Sequence, residues 1–244
     1  MDTQVGIVGM VRRALGLPVG DGVESQARMG RYGELLTQRL GSPYHSLADE
    51  GSYFVAGNPT PGTQIDHVTS AAISETAGNY LYLKNNDALG GKRLYLDFCR
   101  LICNSVPTTG SAGYFFWKVD NVNRYTSTGT TLTPVNANMD AGLASVAQLY
   151  VGANVTIAPS ASARVVAHGM LRSVIPVAGD EWIFKFGGQD FSCASSLGGT
   201  VALRMPIPCA PLILGPQQNA CLQIWFTSNN AAAKYEIELG WWER

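Results

Sequence analysis

Charge is scarce in this chain: only 14% of its 244 residues are Asp, Glu, Lys or Arg, and the formal net charge is −1. A generic binder of nucleic acid or of anionic membranes carries a clustered basic surface, and Arg12-Arg13 falls far short of one. A specific nucleic-acid partner is therefore not expected. Long apolar runs are also missing, since no stretch approaches the roughly 20 residues of a membrane helix. The apolar start "MDTQVGIVGM" comes before its arginines, the reverse of a signal peptide. The expectation is a chain made in the cytoplasm with no membrane anchor. Such a bland surface suits a protein largely covered by other proteins.

The motifs of catalysis are equally thin. There is no G-x-S-x-G elbow, and the three histidines, His45, His67 and His168, are well separated. His168 lies in an apolar strand-like run and reads as a hydrogen-bonded structural residue, while Asp66-His67 is an adjacent pair without a third partner. "GGKR" at residues 90–93 lacks the spacing of a phosphate-binding loop and reads as a hairpin turn. "DNVNR" at 120–124 is explained by turn chemistry rather than by a calcium loop. The five cysteines, Cys99, Cys103, Cys193, Cys209 and Cys221, are odd in number and sit in apolar runs. They read as buried free thiols, not as a disulfide framework, and Cys99 and Cys103 have no second pair to complete a zinc site. No catalytic residue, metal or cofactor is expected, a small-molecule ligand is not expected, and the chain is read as non-enzymatic.

Apolar residues are plentiful, at 46%, so the composition does not indicate disorder. Two regions differ in texture. Residues 1–77 are punctuated by "GLPVGDG", "LGSPYH" and "AGNPTPGT", and read as an extended arm. The arm contains one helix, at about residues 24–40. There Met29, Tyr32, Leu36 and Leu40 recur at helical spacing, with Leu35 beside them, as an apolar stripe. Gly30 and Gly33 weaken that helix by about 1 kcal/mol each, so its stripe needs a surface to lie on.

From residue 78 to 244 the period becomes two, with eight to ten short strands at the spacing of a β-sandwich. "KRLYLDFCRLIC" sets Leu94, Leu96 and Phe98 on one face and Tyr95, Asp97 and Cys99 on the other. The last strand, "KYEIELGWWER", alternates Tyr235, Ile237, Leu239 and Trp241 with Glu236, Glu238, Gly240 and Trp242. Trp241 is expected in the core and Trp242 on the opposite face. With two glutamates roughly 7 Å apart on its own face, Trp242 is either part of a carbohydrate platform or an interface anchor. A glycosidase needs carboxylates on both sides of a scissile bond, which two glutamates on one strand cannot supply. Tyr95, Trp117, Trp225 and Trp242 all fall on nominally outer faces, and such residues are enriched at protein interfaces.

The stretches "YFFWKVDNVNRYTSTGTTLTPVNANMD" (114–140) and "LGPQQNACLQIWFTSNNAAAKYEIELGWWER" (214–244) give the β region its character. The first reads as a hairpin with Thr/Gly/Asn-rich turns, the second as a last strand that closes a sandwich. In these features the chain resembles jelly-roll decoration (cement) and minor head structural proteins of tailed bacteriophages, over about two-thirds of its length. The resemblance implies an all-β fold, a jelly-roll type antiparallel sandwich preceded by the extended arm. It implies a non-enzymatic role in the virion, stabilising a capsid by bridging its subunits, with a homotrimer and a major capsid protein as partners. The assembly contacts expected on this reading are Met29, Tyr32, Leu35 and Leu36 on the arm, with Trp242 covered by the arm or by a neighbour. The alternative is a carbohydrate- or receptor-binding sandwich of lectin or fibre type.

Overall fold

The computed structural model describes residues 47–58, 60, 62–66, 79–106, 112–159, 162–172, 176–187, 204–226 and 234–244. The helix expected at 24–40, with Met29, Tyr32, Leu35 and Leu36, lies outside these residues, as do His45, His67 and Cys193. The described residues form an all-β sandwich with a single helical turn at 47–49, as the period-two texture predicts. They belong to one compact unit spanning residues 44–244.

Strands are numbered along the chain. The first sheet places β1 (Tyr53–Gly57) beside β15 (Lys234–Glu243), then β4 (Leu94–Ser105), then β11 (Glu181–Phe186). It is extended by β8 (Val135–Asn136) on β1 and by β12 (Arg204–Cys209) on β11, with β2 (Ile65–Asp66) on β15 and β13 (Ile213–Leu214) on β4. The second sheet runs β10 (Arg164–Arg172), β5 (Gly113–Asp120), β14 (Asn219–Phe226), β3 (Asn79–Asn85) and β9 (Ala147–Ile157). Two short strands, β6 (Tyr125–Ser127) and β7 (Thr130–Leu132), both pair with β9. Pairing is antiparallel except between β11 and β12, and β12 carries Pro206 and Pro208 at the sheet edge, where a missing N–H is tolerated.

β1 and β2 fall inside the stretch 1–77 that the sequence assigns to the arm. The five-residue run "YFVAG" is too short, between Gly and Pro punctuation, to register as a period. Only its pairing along β15, from Tyr53 opposite Trp242 to Gly57 opposite Glu238, makes it a sheet strand.

The core lies between the two sheets and is held largely by aromatic contacts. Phe115 meets Phe184 edge-on with centroids 4.7 Å apart, and Tyr80 meets Tyr235 at 5.8 Å. Trp117, expected on an outer face, is fully buried and packs edge-on against Phe184 and Phe186. Its strand "YFFWKV" is apolar on both faces, so alternation alone does not say which side faces in. A second expectation is also corrected. In β4 the inward residues are Leu94 and Leu96, then Cys99, Leu101 and Cys103, while Phe98 turns outward and is half-buried. The cause is a β-bulge: Gly240 pairs with Phe98 but Trp241 pairs with Leu96, leaving Asp97 as the extra residue. Phe98 then lies over Gly240, where any Cβ would collide with the Phe98 ring and the Tyr53 hydroxyl.

Candidate functional site

The last strand behaves as its alternation predicts. Tyr235, Ile237, Leu239 and Trp241 are buried in the core, and Glu236, Glu238 and Trp242 reach the outer face of the first sheet. Trp242 is half-buried there, and its own chain supplies cover. Tyr95, its register partner on β4, stacks on it with centroids 5.6 Å apart and rings parallel to within 1°. Tyr53, its register partner on β1, is pinned by donating its hydroxyl to Asp97 Oδ2 at 2.7 Å. One ring face of Trp242 is therefore taken by Tyr95, which a sugar-stacking platform would need free.

The two glutamates are occupied as well. The Asn104 amide donates to Glu236 Oε1. Glu238 Oε2 lies 3.2 Å from Arg100 Nη1, Arg100 Nε lies 3.4 Å from Glu181 Oε1, and Glu181 Oε2 lies 2.7 Å from Arg204 Nε. The Arg100–Glu181 contact is a charge contact only, because the Nε–H is not aligned for a hydrogen bond. A ladder of alternating charge thus crosses β15, β4, β11 and β12. Such cross-strand pairs contribute a few tenths of a kcal/mol to about 1 kcal/mol each, and they also blunt the face against non-specific association.

Beside this ladder is a groove of about 520 Å³, lined by Val55, Ala56, Gly57 and Asn58 of the β1 region, Arg100 and Ile102 of β4, Thr133 and Val135 near β8, and Glu236, Ile237 and Glu238 of β15. Sequence reasoning had singled out only the two glutamates. Its other walls come from the stretch read as arm, from a mid-strand arginine and from a loop, and only strand register brings them together.

The outer face of the second sheet is built differently. Tyr82, Val155, Ile157 and Cys221 form a second buried cluster there, flanked by Tyr125 and Tyr150, whose rings stack at 3.8 Å. The Tyr82 hydroxyl donates to Asn123 Oδ1 at 2.9 Å and accepts from the Arg124 and Tyr125 N–H groups at 2.9 and 3.1 Å. Burial pushes the Tyr82 hydroxyl up to about 12, against the opposing pull of those two N–H groups. Farther along this face Trp225 stacks on Tyr114 at 5.4 Å, and Phe116 leans on it. His168, read as a structural residue of an apolar strand, is exposed on β10, an edge strand on which the apolar neighbours Val165, Val166 and Met170 are themselves exposed.

Cys99, Cys103, Cys209 and Cys221 are buried and form no disulfide, as read from their apolar runs. Burial pushes Cys209 up to about 11 and Cys221 up to about 12, and holds Cys99 well above the usual thiol range, which makes these thiols poor nucleophiles. Among the described residues no group of three or more His, Cys, Asp or Glu could hold a metal ion, and no helix is long and apolar enough to cross a membrane. No family model matches the chain, and no curated protein or solved structure matches it.

Proposed function

We propose that this chain is a non-enzymatic structural protein of a bacteriophage virion that binds a major capsid protein and stabilises the shell by bridging its subunits, as a homotrimer. The observation that carries the reading is the strand order. Taking β1, β3, β4, β5, β10, β11, β14 and β15 as strands one to eight, and setting aside the short strands and β9, which adds to the second sheet beside β3, the first sheet runs 1-8-3-6 and the second 5-4-7-2. We read this order as two interleaved Greek keys, the jelly-roll arrangement used by many shell-forming proteins. Because a fold alone hosts many functions, the surface has to support the reading too. It does so through aromatic pairs left half-covered on both outer faces, Tyr95–Trp242 and Tyr114–Trp225, and through Leu89 and Met139, 86% and 93% exposed at loop tips. Repetition of modest contacts around a shell supplies strength that one such interface lacks.

The test is the native mass together with particle binding. The expected species in light scattering has three times the 26.1 kDa chain mass, and it co-sediments with phage particles in stoichiometric amount. Removal of residues 1–46 is expected to abolish that co-sedimentation. A monomer that stays in the supernatant would sink the reading. The second reading, a carbohydrate- or receptor-binding module, is supported by the groove beside Glu236 and Glu238. Reproducible binding on a glycan array would favour it.

A further inference from the structure

The groove coincides with an interrupted sheet edge. Along β1 the even-numbered residues bond to β15: Asn58 N–H donates to Ile237 O at 3.2 Å, and Ser52 O accepts from Glu243 N–H at 2.9 Å. The odd-numbered residues therefore turn their backbone groups the other way, toward β8, as shown by Tyr53 O accepting from Ala137 N–H at 2.9 Å. β8 pairs only with Phe54 and Val55. Continued register would set Thr133 opposite Gly57, the next residue whose backbone groups turn that way, but β8 begins only at Val135 and does not reach it. Gly57 is left at the edge with its N–H and C=O directed outward and no strand beside it among the described residues.

The outer face at this point is shaped to match. Gly57 carries no side chain, so nothing stands between the open edge and Glu238, its register partner on β15. A side chain from a strand added at that edge must cross two strand spacings, roughly 10 Å, to reach Glu238. Only a long one does so. The groove wall along the way is apolar, Val55 and Val135, with Ile102 beyond the glutamates on β4, and its charged groups are two carboxylates, Glu236 and Glu238, against one guanidinium. That guanidinium, Arg100, is shared with Glu181 outside the groove, and the partner of Glu236 is a neutral amide. The groove therefore carries an excess of negative charge at the end of an apolar track.

We propose that this groove takes an extended peptide strand of another protein, bearing a lysine or arginine. The strand continues the line of β8 and pairs with the Gly57 backbone. The stem of its basic side chain lies beside Val55 and across Gly57, and its cation sits at Glu236 and Glu238. This is recognition by strand addition, in which main-chain bonds give affinity and a side-chain pocket gives selection. A glycan fits less well, because the nearby Trp242 ring is stacked on Tyr95. The inference goes beyond the assembly reading and does not depend on it, since a chain that ignores phage particles would still bind such a strand.

The test uses the full chain and fluorescein-labelled peptides of about eight residues, a common strand length, with alternating valine and threonine and a single central lysine or glutamate. Fluorescence anisotropy is expected to show the lysine peptide bound about tenfold or more tightly than the glutamate peptide, with the difference shrinking as salt rises. Gly57→Val fills the groove. At this position an added Cβ meets only Ile237 O, at 3.4 Å, and the backbone is not left-handed, so the fold is expected to accept it. It should weaken the lysine peptide about tenfold. Glu236→Gln should weaken the lysine peptide and spare the glutamate peptide, and it serves as the control if Gly57→Val misfolds. Equal binding of the two peptides, no binding of the lysine peptide, or indifference to these substitutions would overturn the proposal.

Discussion

On the outer face of the second sheet the chain returns over itself. Residues 121–128, between β5 and β7, come back across β3 and β9, bury Tyr82 and Cys221, and satisfy the Tyr82 hydroxyl with three polar partners. On the outer face of the first sheet nothing comparable is built from the described residues. That face is finished by half-exposed side chains, a charge ladder from Glu238 to Arg204, a Tyr95–Trp242 stack and a groove. The comparison separates two ways of completing a sandwich. A face covered by the chain's own connection becomes a second core and contributes to stability. A face finished with exchangeable charge contributes little to folding and remains available to partners.

The largest test of this contrast is Tyr82→Ala, which removes the centre of the second cluster and should cost about 3–5 kcal/mol in urea unfolding. A loss below about 1 kcal/mol would show that this face is decoration rather than core. Next comes alkaline pH. The buried groups Tyr82, Cys221 and Cys209 titrate at about 12, 12 and 11 in the fold, above their ordinary values of 10, 9 and 9. Raised values mean that the unfolded chain loses its protons first. The stability these groups contribute is thus fully present below pH 9 and is lost as pH rises through 11 to 12. Thermal melts from pH 7 upward should hold level to about 9 and then fall. In Tyr82→Phe the tyrosine part of that fall, beginning near pH 10, should be missing.

A smaller effect is expected on the other face. Trp242→Ala breaks the stack with Tyr95 and should cost about 1–2 kcal/mol, clearly less than Tyr82→Ala. An equal or greater loss would make the first sheet's outer face a core in its own right. The smallest effect belongs to the ladder. Arg100→Gln should change unfolding by less than about 1 kcal/mol, because its side chain is 37% exposed and its pairs are screened. The same protein measured in high salt should be almost indistinguishable from wild type.

Several features were legible from residue order alone. Tyr235, Ile237, Leu239 and Trp241 alternate so cleanly with Glu236, Glu238 and Trp242 that the two faces of the closing strand follow from period-two geometry. The burial of Cys99, Cys103, Cys209 and Cys221 without a disulfide follows from their apolar surroundings. Other features were hidden. Phe98 and Cys99 exchange faces because Asp97 is the extra residue of a bulge, and a bulge is defined by what pairs across the strand. Trp117 could face either way along "YFFWKV", and the opposing Phe184 and Phe186 decide it. "YFVAG" has no period of its own and becomes a strand only by pairing along β15.

By itself the sequence determined the class of the molecule: local alternation, turn residues and sparse charge specify strands with one face to bury, because these effects act over neighbouring positions. What finishes each face was decided only by the tertiary structure. Trp242 is covered on one side by Tyr95, Glu238 is tied to Arg100, and Gly57 sits beside an open edge. Each of these facts depends on register between strands far apart in the chain, and a one-residue slip would turn every one of those side chains to the other face.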